Sequence, residues 1–94
     1  MTFDKIQNWI DYLTKLRFTN IETMCNVDRE ILLTVRKNKH CFEILFEQDS
    51  ISINWYRNYF ISKVASAIFQ NENDAFVYIK KISNLTSDDD IKRN

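Results

Sequence analysis

Residues 30–56 decide how this chain folds: Glu30-Ile31-Leu32-Leu33-Thr34-Val35-Arg36-Lys37-Asn38-Lys39-His40-Cys41-Phe42-Glu43-Ile44-Leu45-Phe46-Glu47-Gln48-Asp49-Ser50-Ile51-Ser52-Ile53-Asn54-Trp55-Tyr56. Ile31, Leu33 and Val35 alternate with Leu32, Thr34 and Arg36, the period of two that puts successive side chains on opposite faces of a strand. Arg36-Lys37-Asn38-Lys39 is a polar turn in which Asn38 is best able to take a positive φ. Phe42, Ile44 and Phe46 start a second alternation, Gln48-Asp49 reverses the chain again, and Ile51, Ile53 and Trp55 make a third. The segment predicts an antiparallel meander with one aliphatic and aromatic face.

Upstream, Ile21, Thr23, Cys25 and Val27 alternate as an edge strand would, although Phe18, Ile21, Met24 and Val27 also recur every three residues. A short strand within residues 18–28 makes the meander three- or four-stranded. Before it, Phe3, Ile6, Trp9, Ile10, Leu13 and Leu16 fall within an arc of roughly 140° at helical spacing. An amphipathic helix follows, capped by Thr2 and fraying near Arg17, with Trp9 at the edge of its apolar stripe. Downstream, Phe60, Ile61, Val64, Ala65, Ala67, Ile68 and Phe69 share about 200° and predict a helix over Tyr59 to Phe69. Asn71-Glu72-Asn73-Asp74 is a break and cap cluster. A last helix then carries Phe76, Tyr78, Ile79, Ile82 and Leu85 on one half and Lys80, Lys81 and Asn84 on the other. The expected architecture is α+β: an N-terminal helix, a three- or four-stranded antiparallel meander, and two C-terminal helices packed on one sheet face. One domain spans 1–85, and 86–94, with its run Asp88-Asp89-Asp90, is expected to be a disordered acidic tail.

Composition narrows the chemistry. The chain has 94 residues and no glycine or proline, which excludes Gly-rich phosphate loops, dinucleotide fingerprints and nucleophile elbows, each of which needs backbone that bulkier residues do not supply. Thirteen Lys and Arg balance thirteen Asp and Glu, so no long-range field draws the chain to nucleic acid or anionic lipid. Met1-Thr2-Phe3-Asp4 has neither the basic residues nor the apolar core of a signal peptide, and the expected location is cytoplasmic. Cys25 and Cys41 sit two strands apart in the expected sheet, beyond disulfide reach. Together with His40 they lack the paired spacing of a zinc site. His40 is expected at the hairpin turn, in solvent, facing away from Cys41 and so unable to act as its base. Glu43 and Glu47 share a sheet face without an evident cleft, which argues for solvated carboxylates rather than an acid–base pair. The expectation is a chain without catalytic residues, metal or cofactor.

Binding is the remaining class. The sheet face away from the helices presents Glu30, Leu32, Thr34 and Arg36, then Glu43, Leu45 and Glu47, then Ser52, Asn54 and Tyr56. From Cys41 to Tyr56 there are three acids and no Lys or Arg, whereas Arg29 to Lys39 carries four bases and one acid. Such separation suits a basic protein partner, and Glu43, Leu45, Glu47, Asn54 and Tyr56 are the candidate partner-binding residues. No small-molecule substrate and no membrane contact is expected.

The helix, meander, helix order is similar to that of double-stranded RNA-binding domains. That family's second helix opens with a lysine cluster, and Ser62-Lys63-Val64-Ala65-Ser66-Ala67 supplies one lysine, which argues against nucleic acid. Ile53-Asn54-Trp55-Tyr56, then Phe60, then Asn73-Asp74-Ala75-Phe76-Val77-Tyr78-Ile79 resembles the closing half of small bacterial toxin-immunity proteins, over residues 30–85. The resemblance implies a non-catalytic inhibitor that neutralises a toxin by direct stoichiometric binding. A phage-encoded inhibitor of a host defence protein, or a small structural or regulatory subunit, fits the same composition.

Overall fold

A computed structural model describes residues 3–25, 30–57 and 62–92, with side chains over 4–25, 30–57 and 62–85. Helix α1 (Phe3–Lys15) leads into strands β1 (Thr19–Cys25), β2 (Ile31–Lys37), β3 (His40–Phe46), β4 (Ile51–Arg57) and β5 (Ser62–Phe69), and helix α2 (Glu72–Lys92) closes the chain. The strands form one antiparallel sheet in the order β1-β2-β3-β4-β5, so each pairs with its neighbour in sequence. The α+β class and the meander are as expected, and so is a strand within 18–28. Thr2 and Val27, the expected cap and the last member of the β1 alternation, lie outside the described residues.

Two expectations are corrected. The sheet has five strands rather than three or four, and one C-terminal helix rather than two, because Ser62–Phe69 is β5 and not a helix. Ala65, Ala67 and Phe69 turn inward while Ser66 and Ile68 turn outward, a period of two that the 200° arc had absorbed as helical. Pairing Asn54 with Ser66 and Ile53 with Ala67 supplies β4 with partners for backbone groups that would otherwise line an open edge. That demand on the whole strand outweighs the helix propensity of two alanines. Tyr59, Phe60 and Ile61 lie outside the described residues.

Each boundary has a local cause. α1 ends in a Schellman motif: Arg17 takes φ 70°, Phe18 N–H donates to Leu13 O at 3.0 Å, and Arg17 N–H donates to Thr14 O at 3.0 Å. Phe18 then packs back with Leu13 in the core, the apolar contact that accompanies this cap. Asn38, as anticipated, takes φ 58° in the turn between Lys37 and His40, which are paired across the hairpin. Asn20, at φ 53°, sits where the β1–β2 register shifts. α2 is capped by Asn71, whose Oδ1 accepts from Asn73 N–H at 2.7 Å.

The inner face of the sheet holds Leu33, Val35, Phe42, Ile44, Phe46, Ile51 and Ile53, all buried. Ile6, Trp9 and Leu13 of α1 and Ala75, Ile79 and Ile82 of α2 complete the same core. Trp9 sits at the centre: it stacks on Phe76 at 4.2 Å, meets Phe46 edge-on at 5.3 Å, and donates Nε1–H to Glu72 Oε2 at 3.1 Å. It is therefore at the heart of the core, although the helical wheel put it at the edge of the apolar stripe. Leu85, expected on the apolar half of α2, is 47% exposed. No helix among the described residues is long and apolar enough to cross a membrane.

Candidate functional site

With both helices on one face, the other face of the sheet is left to solvent, and the strand register sorts its side chains into rows. Met24 pairs with Leu32, Leu32 with Leu45, Leu45 with Ser52, and Ser52 with Ile68, so an apolar row interrupted by one serine crosses all five strands. Its ends are open: Met24 is 59% and Ile68 72% exposed. The next row is polar, running Glu22, Thr34, Glu43, Asn54, Ser66. Beyond it stand Arg36, Cys41, Tyr56 and Lys63. On the far side of the apolar row, Glu30 and Glu47 stand two residues along the chain from Leu32 and Leu45.

Four of the five residues singled out by sequence therefore lie in the strands of this face, and Glu47 lies one residue past the end of β3. Glu43 and Asn54 are direct cross-strand partners, and Ser66 Oγ donates to Asn54 Oδ1 at 2.7 Å. Tyr56 is half-buried on the same face. Its hydroxyl donates to Glu43, and this bond, with partial burial and the carboxylate's charge, holds the phenol above its usual range. Leu45 is half-buried in the centre of the apolar row. Glu47 lies past the end of β3, exposed in the turn that its N–H closes by donating to Ser50 O at 2.9 Å. Sequence reasoning missed Met24 and Ile68. Ile68 was hidden by the helical assignment of β5, while the alternation of Glu22 and Met24 against Ile21 and Thr23 was there to be used.

The inner face carries its own polar end, and it corrects one expectation. His40 is not a solvent-exposed turn residue: it is 2% exposed and accepts at Nδ1 from Trp55 Nε1–H at 3.0 Å. The turn is confined to Asn38-Lys39, so His40 is the first residue of β3 and points inward opposite Lys37. Cys41 has the opposite parity, as expected, and is buried. Neither Cys25 nor Cys41 is in a disulfide. Lys37 is buried, and its Nζ donates to Leu16 O at 3.0 Å, Ser83 O at 3.2 Å and Ser83 Oγ at 2.6 Å. It thereby ties the end of α1 and the middle of α2 to the sheet. Burial, with the Arg17 guanidinium as a second cause, lowers its pKa.

Two grooves flank the helices. One, of about 380 Å³, lies between α1 and the β1–β2 edge and is lined by Ile6, Ile10, Thr23, Cys25 and Ile31. The other is a shallow trough of about 630 Å³ along α2, with Tyr12 and Phe76 at its base and Lys80 and Lys81 on its rim. Among the described residues no three His, Cys, Asp or Glu side chains converge on a point where a metal would sit. Compared with known proteins, the chain matches no family, no curated protein and no solved structure.

Proposed function

We propose that this chain is a non-catalytic inhibitor, an immunity protein or antitoxin in type, that neutralises a toxin in the cytoplasm by stoichiometric binding through the outer face of its sheet. The observation that carries the proposal is the apolar row on that face, with Met24 and Ile68 exposed at its ends. Isolated exposed apolar residues are ordinary, but a contiguous row bordered by charge is the usual mark of a protein-binding surface. The buried polar groups instead act within the fold, Lys37 on backbone carbonyls and His40 on Trp55. A phage-encoded inhibitor of a host defence protein would bind in the same way and differ only in its target.

The test begins with affinity capture from source cells, followed by calorimetric titration of the captured protein. Wild type is expected to bind one to one. Glu43→Lys with Glu47→Lys is expected to weaken binding at least tenfold with the fold intact by circular dichroism, and Tyr56→Ala to speed dissociation more than it slows association. Turnover of a substrate by the purified chain, or unchanged affinity in folded variants, would contradict the proposal.

A further inference from the structure

We infer that the partner docks on this face through a cationic amphipathic α-helix laid across the strands. This rests on the inhibitor proposal and adds the shape and charge of what is bound. The apolar row Met24, Leu32, Leu45, Ser52, Ile68 crosses four strand intervals, about 19 Å at the usual strand spacing. A helix of about 13 residues has that length.

Charge fixes the rest. Glu22 and Glu43 border the row on one side; on the other, Glu30 and Glu47 lie just outside β2 and β3, next to the paired strand ends Ile31 and Phe46. Each acid is two residues along the chain from an apolar member, about 7 Å where the backbone is extended. Among the described residues, neither the apolar row nor its acidic borders contains a lysine or arginine, and the first bases, Arg36 and Lys63, stand one row further out. A helix about 10 Å across, with a leucine-type stripe downward, places Lys or Arg on both flanks of that stripe over these carboxylates. An extended strand does not match, because the side chains it turns to one face lie in a single line.

A second copy of this chain, packed about either principal direction of the sheet, is disfavoured by the same arrangement. A two-fold axis along the strands lays each acidic border on its own copy. An axis along the apolar row lays Glu43 on Glu47. Either way carboxylates meet carboxylates, which disfavours the contact.

The test titrates the full ¹⁵N-labelled chain with a synthetic 14-residue peptide of leucine and lysine, arranged as one apolar stripe with lysines on both flanks. The control is a scrambled peptide of the same composition. Expected are amide shifts centred on Met24, Leu32, Leu45 and Ile68, and binding at least tenfold tighter than the control. A loss of tenfold or more is expected in Met24→Glu with Ile68→Glu, and separately in Glu22→Lys with Glu47→Lys. Shifts centred on the Lys80–Lys81 trough, or equal binding of the scrambled peptide, would overturn the inference. So would a concentration-dependent dimer that Met24→Glu abolishes. If the peptide binds elsewhere while the captured protein still loses affinity for the face variants, the inhibitor proposal stands and the helical partner alone is lost.

Discussion

At the residue scale, the absence of glycine leaves a cost that the structure locates. Arg17 closes α1 at φ 70°, a conformation that a side chain with a Cβ adopts at a penalty. Its charge also stands near the buried Lys37 ammonium. Arg17→Gly relieves both and is expected to stabilise the fold by about 1 kcal/mol, read as a rise of roughly 4–8 °C in Tm. Lys37 has the opposite balance. Lys37→Met removes three donated hydrogen bonds that join α1, α2 and the sheet, and is expected to cost about 2–4 kcal/mol in chemical denaturation. The sign of the alkaline response follows from the lowered pKa. The unfolded chain binds this proton more tightly than the folded one, so the lysine's contribution to stability grows as pH rises from its folded value toward 10.5. Tyr78, raised by burial, and Tyr56, raised first by Glu43, work the other way above pH 10.0, where the unfolded chain loses the proton first. Melts between pH 8 and about 11 are expected to show the rise in wild type and only the fall in Lys37→Met. Neither Lys37 nor His40 was legible as a buried group, because a basic run beside a turn has the same composition whether its ends face solvent or core.

At the element scale, the middle of the sheet was legible and its last strand was not. β2, β3 and β4 keep large apolar residues at alternate, inward positions and, Leu32, Cys41 and Leu45 apart, polar ones between them, so period identifies them. β5 offers alanines at its inward positions and Val64 and Ile68 outside, a pattern that only pairing with β4 resolves. Its inner end is nevertheless anchored: Phe69 packs on Tyr78 of α2 at 5.1 Å. Phe69→Ala is expected to cost about 2–3 kcal/mol. Val64 is unpaired at the register shift and 41% exposed, so Val64→Asp should change stability by less than about 0.5 kcal/mol. Equal losses in urea denaturation of the two variants would show that β5 does not pack as described. Both sheet edges also carry an irregularity, the shift after Thr19 in β1 and that between Trp55 and Tyr56 facing β5. Such breaks discourage edge-to-edge pairing with another chain.

At the scale of the whole molecule, one face of a five-stranded sheet is used for folding and the other is left with an ordered pattern of its own. Two helices suffice for the inner face, since Trp9 alone reaches both Phe46 of the sheet and Phe76 of α2. The candidate site was half legible: alternation in β3 and β4 identified Glu43, Leu45, Asn54 and Tyr56. Met24 and Ile68 become neighbours of that set only through the register of the two outer strands. The central claim, that this face binds the target, is tested most directly by titrating the captured partner into wild type and into Met24→Glu with Ile68→Glu. Both residues lie at exposed ends of the row, so the double variant keeps its fold by circular dichroism and thermal melt. The account predicts one-to-one binding by wild type and a loss of at least tenfold in the variant. Binding of the folded variant with unchanged affinity would contradict it.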